Sequence, residues 1–161
     1  MGDVRFQDEL RSVGIPEQAW VWGMAEEPEV LVTPAHANCH DGGHWQGMPL
    51  GGIGAGGIGR NYRGAFSRWT VKAGALKHFC EPANMFAVRQ CPVGGEATAV
   101  ALHPGYPTAR PGQEPGKALP AWNWDFAAGA ACYAALFPQA WHHYPASAKL
   151  PVAMTCEQFS P

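Results

Sequence analysis

A chain of 161 residues, 47% of them hydrophobic, is long enough for one domain with a true core and too short for two ordinary ones. A formal charge of -2 with 15% charged residues provides neither a basic stripe for nucleic acid nor an acidic tail, and no run of about 18 apolar residues offers a membrane span. Twenty glycines and 15 prolines point to turns and short strands, and so to an all-β architecture.

At the N-terminus, Met1 to Glu9 lacks the apolar core of a signal peptide. Phe6 stands where a myristoylation signal needs Ser or Thr, so the expected location is cytoplasmic. Arg5 to Val13 reads as a short helix with Phe6, Leu10 and Val13 on one face, stopped by Gly14 and Pro16. Trp20 and Trp22 follow beside the acidic cluster Glu26, Glu27 and Glu29, and Val30 to Thr33 reads as an edge strand ended by Pro34. Residues 1–44 are thus expected to form an irregular arm and loop laid over a body made by residues 45–161.

The arm holds the one spacing that suggests a metal. His36, His40 and His44 recur every four residues with Cys39 among them, which on a helix would line three imidazoles along one face. Asp41, Gly42 and Gly43 break such a helix before His44, so loop histidines are the reading adopted, with no metal and no cofactor. Cys39, Cys80, Cys91, Cys132 and Cys156 are odd in number and widely spaced, unlike a disulfide framework, and read as reduced thiols.

The chain is organised around Gly47 to Trp69, a glycine-rich loop feeding a strand. Gly52 to Gly57 satisfies G-x-G-x-x-G, but no buried strand precedes it, no helix follows it, and Val71 to His78 holds no carboxylate for a ribose. No Gly-Lys-Ser/Thr follows either. A tight loop that approaches another backbone closely is the better reading.

Strands are expected at Phe66–Val71, Asn84–Gln90 and Glu96–Leu102, the three forming an antiparallel meander. His103 to Pro120, with five prolines, reads as a surface loop. The alanines of Asp125 to Phe137 favour helix by propensity, while Gly129, the aromatic residues and the following Pro138 favour strand, which is preferred. Gln139–Tyr144 and Leu150–Gln158 complete the series.

Several of these residues also carry a resemblance. The run Gly47–Gly56, then Arg60, Arg63, Gly64, Phe66, Arg68 and Trp69, is similar to the N-terminal domain of glycoside hydrolase family 116, the retaining β-glucosidases that include the non-lysosomal, bile-acid-type glucosylceramidases. Similarity continues at Ala83–Arg89, Trp122 to Trp124, Tyr133, Phe137–Trp141 and Tyr144. The resemblance implies an antiparallel β-sandwich, here expected to be incomplete. It places the catalytic carboxylates in an (α/α)6 barrel that this chain does not contain, and implies that the β-glucoside is met through that barrel.

Read from the residues themselves, Asp41, Glu81, Glu96, Glu114, Asp125 and Glu157 form no recognisable pair, and autonomous catalysis is not expected. The expected role is a non-catalytic domain that packs on the barrel and helps shape its cleft. Gly51, Gly52, Gly54 and Gly56 would let the partner's backbone come close, with Arg60, Arg63, Arg68 and Trp69 beside them at the seam. The alternative is a stand-alone carbohydrate-binding or structural sandwich, in which Trp122 and Trp124 stack on a sugar.

Overall fold

The computed structural model describes residues 4–24, 47–52, 54–78, 84–103, 129–148 and 150–160. In chain order they form a 3-10 turn (Val4–Phe6), helix α1 (Gln7–Ser12), and strands β1 (Trp20–Gly23), β2 (Met48–Gly52), β3 (Gly56–Arg60), β4 (Phe66–Trp69) and β5 (Lys77–His78). They continue with β6 (Ala87–Gln90), β7 (Thr98–Ala101), β8 (Cys132–Leu136), β9 (Gln139–Tyr144) and β10 (Met154–Phe159). The fold is mainly β and antiparallel, and among the described residues no sheet closes into a barrel.

Alternation along β8 and β9 sets the layers. In the first sheet, ordered β1-β8-β9-β10, the register pairs Ala134 with Trp141 and Cys132 with His143 on one face, and Tyr133 with His142 and Ala135 with Ala140 on the other. The first face carries Val21, Cys132, Ala134 and Trp141, which pack against Phe6, Leu10, Ile15 and Ala19. The second face meets the second sheet, ordered β2-β3-β4-β5: Tyr133 and Ala140 pack on Met48 and Tyr62. Tyr144 packs with Met24, Leu102, Ala131 and Leu150, and Val88 of the β6–β7 ribbon leans on that group. Each large apolar side chain so buried contributes about 1.5–3 kcal/mol.

The helix carries Phe6 and Leu10 inward as expected, but Val13 is 45% exposed. Its place is taken by Ile15, because Gly14 at φ 83° turns the chain out of the helix. The Ile15 amide then donates to Leu10 O at 3.0 Å and the Gly14 amide to Arg11 O at 3.2 Å, the bonding of a glycine-terminated helix end, with Ile15 and Leu10 in one apolar cluster. Residues ahead of Gly47 thus supply both a cover for the first sheet and its edge strand β1.

Two further differences have identifiable causes, and one preference holds. The glycine stretch is a hairpin rather than a loop, paired from Met48 with Arg60 to Gly52 with Gly56. The expected meander does not form: β5 pairs back on β4 and occupies its free edge, and among the described strands β6 pairs with β7 alone. In the alanine-rich segment the described residues 132–136 are strand, as preferred from the sequence, because ladders to β1 and β9 on both sides outweigh alanine's helical preference. Val30 to Thr33 and the proline-rich residues 104–120 lie outside the described residues.

Candidate functional site

Arg60 ends β3 with its side chain turned between the sheets and is 0% exposed. Nε donates to Gly64 O at 3.1 Å, one terminal nitrogen reaches His142 Nδ1 at 3.2 Å and Cys156 Sγ at 3.3 Å, and the other reaches Tyr144 Oη at 3.3 Å. Phe86 lies across the guanidinium, 4.7 Å from ring centre to Cζ, and meets Phe66 edge-on at 5.8 Å. Among the described residues no carboxylate pairs with Arg60. The planar fork is held instead by neutral acceptors from the β3–β4 turn, β9 and β10, so one side chain ties both sheets together.

The turn after β3 is built around Asn61. Its Oδ1 accepts from the Arg63 amide at 3.0 Å and the Ala65 amide at 3.1 Å, while Gly64, at φ 87°, leaves no room for a Cβ beside Leu102 O. Asn61 O also accepts from His142 Nε2 at 2.9 Å. His142 therefore carries its proton on Nε2 and offers Nδ1 as an acceptor to Arg60, which is the neutral ring. Burial, then the charge of Arg60, holds its pKa well below the ordinary histidine value. The nearby His103, 1% exposed, is lowered from 6.5 to about 3 by burial, then by Arg63 and Arg60. Burial also raises the Tyr144 phenol from 10.0 to about 12, and its hydroxyl donates to Leu102 O at 3.2 Å. At the centre of the cluster Arg60, His142 and Tyr144 are each 0% exposed. A group of this kind cross-links a fold.

The family model described as beta-glucosidase 2, glycosyl-hydrolase family 116 N-term, matches residues 47–161. The chain belongs to this family. The match begins at the glycine hairpin and takes in every strand from β2 to β10. An N-terminal domain of family 116 implies a catalytic partner domain. No helix among the described residues is long and apolar enough to cross a membrane.

Within this family 116 domain, the described acids are dispersed. Asp8 and Glu17 lie on Arg11 at 3.8 and 3.0 Å, Glu9 reaches His143 Nε2 at 3.2 Å, and Glu157 accepts from Gln139 at 2.8 Å. Glu96 is exposed between β6 and β7. Of the residues singled out from the sequence, Gly51, Gly52 and Gly56 lie in the paired hairpin strands and Gly54 at the exposed turn joining them. Arg60 faces the interior, Arg63 is 7% exposed, and Arg68 and Trp69 are half-buried on β4. His36, Cys39, His40, His44, Trp122 and Trp124 lie outside the described residues. Sequence reasoning missed His142, Tyr144 and Cys156 as partners of Arg60. The two-residue period of β9 could have placed His142 and Tyr144 on one face with Ala140, but nothing local says that β3 points at that face.

Proposed function

We propose that this domain is the non-catalytic N-terminal part of a retaining β-glucosidase of the glucosylceramidase type, packing on an (α/α)6 catalytic domain and helping to shape its cleft. The observation that carries this is the family match over residues 47–161. The dispersal of the described acids supports it, since a retaining glycosidase needs two carboxyl groups about 5 Å apart across a sugar. The buried cluster at Arg60 supports it too, because its polar groups brace two sheets. Assaying the 161-residue chain with an aryl β-glucoside tests the reading: no hydrolysis is expected from the chain alone. The chain co-expressed with the catalytic domain of a family 116 enzyme should co-purify with it. Hydrolysis by the chain alone overturns the proposal.

A further inference from the structure

The inner face of the second sheet extends beyond the part that the first sheet covers. Met48 and Arg60 stand opposite one another and are buried. Two residues along the same strands, Leu50 opposes Ile58, and Ile58 opposes Trp69 across β4. Opposed residues of an antiparallel ladder share a face, so these three form one row continuing the core face outward. All three are only half-buried, and the β4–β5 connection beside them adds Val71 and Leu76, 63% and 49% exposed. The adjoining hairpin end is exposed backbone, since Gly51, Gly52, Gly54 and Gly56 carry no side chains.

Charge states what this shelf would accept. Residues 47–78 contain Arg60, Arg63, Arg68, Lys72 and Lys77 and not one Asp or Glu. Lys72 and Lys77 are exposed, and the described acids sit elsewhere, on or near α1, between β6 and β7, and on β10. An apolar shelf beside two exposed lysines is complementary to an apolar surface flanked by carboxylates.

We infer that the Leu50–Ile58–Trp69 shelf is the seat of the catalytic partner domain, which meets it with an apolar, acid-flanked surface. The inference rests on the reading of this chain as a packing domain. Its test is the affinity of the full 161-residue chain for the catalytic domain of a family 116 enzyme. Ile58→Glu and Lys72→Glu should each weaken binding by about tenfold, the Lys72 effect shrinking as salt rises. Phe159→Glu, at a 58% exposed side chain on the first sheet, should change binding by no more than about twofold. Lys72 is an exposed turn residue, so its variant stays folded and separates docking from stability. If the parent binds and only Phe159→Glu impairs it, the shelf is overturned and the packing reading stands. If the parent does not bind, both fall. If the two shelf variants instead abolish self-association or binding to anionic vesicles and leave the catalytic domain's affinity unchanged, the shelf belongs to another occupant and the inference is overturned.

Discussion

Arg60 shows how a cation is held, among the described residues, without an ion pair. Four acceptors surround it, none of them a carboxylate, and its removal would take the Arg60 hydrogen bond from Gly64 O, His142 Nδ1, Cys156 Sγ and Tyr144 Oη at once. An unsatisfied buried polar group costs about 1–3 kcal/mol, partly offset because a charge need no longer be desolvated. Arg60→Leu is therefore expected to lower stability by about 2–4 kcal/mol in urea unfolding. Arg60→Lys should recover only part of this, since one ammonium cannot reach Gly64 O, His142 and Tyr144 together. A leucine variant as stable as the parent would show that the cluster contributes nothing to the fold.

At the scale of the element, the glycine hairpin explains its own composition. Gly56, at φ 77°, packs so closely on the end of β4 that an added Cβ would meet Thr70 O at 2.5 Å. The Cβ of a residue at Gly51 would collide with Gly56 O. Gly54, at φ 79°, has open space around it. Gly54→Ala is thus expected to cost about 1–2 kcal/mol, the left-handed strain alone, whereas Gly56→Ala adds a backbone collision and should cost more. Comparable thermal midpoints for the two variants would contradict the close approach. Thr70 reinforces the same contact: its hydroxyl and amide both donate to Gly57 O, at 2.9 and 2.8 Å.

For the whole molecule, the buried histidines and tyrosines bound the pH range of greatest stability. Unfolded, His103 and His142 titrate near 6.5; folded, His103 is held at about 3 and His142 well below its ordinary value. As pH falls below 6.5 the unfolded chain takes up protons that the folded chain refuses. The stability is therefore fully present above about 6.5 and is lost on the way down, at about 1.4 kcal/mol per pH unit for each histidine. Tyr133 and Tyr144 act with the opposite sense. Raised from 10.0 to about 12, mainly by burial, they hold stability that is complete below pH 10 and lost as pH climbs toward 12. Urea midpoints should form a plateau between these limits, and His103→Gln should reduce the slope between pH 5 and 7 by about half. An unchanged slope would remove His103 from the account.

Much was legible in the residues alone. Turn chemistry and two-residue periodicity place β4, β6, β7, β9 and the described part of β8 near their observed positions, because alternation is a local property that survives any arrangement of strands. The family motif begins in the same glycine run where its match begins. What only the tertiary structure decided is pairing. That the glycines form two strands, that β5 rather than β6 joins β4, and that Arg60 finds His142, Tyr144 and Cys156 more than 80 positions away all depend on contacts between distant segments. Propensity and spacing record what one stretch can do. Which stretch it meets is set by the burial and hydrogen bonding of both at once, and that information is not held at either site.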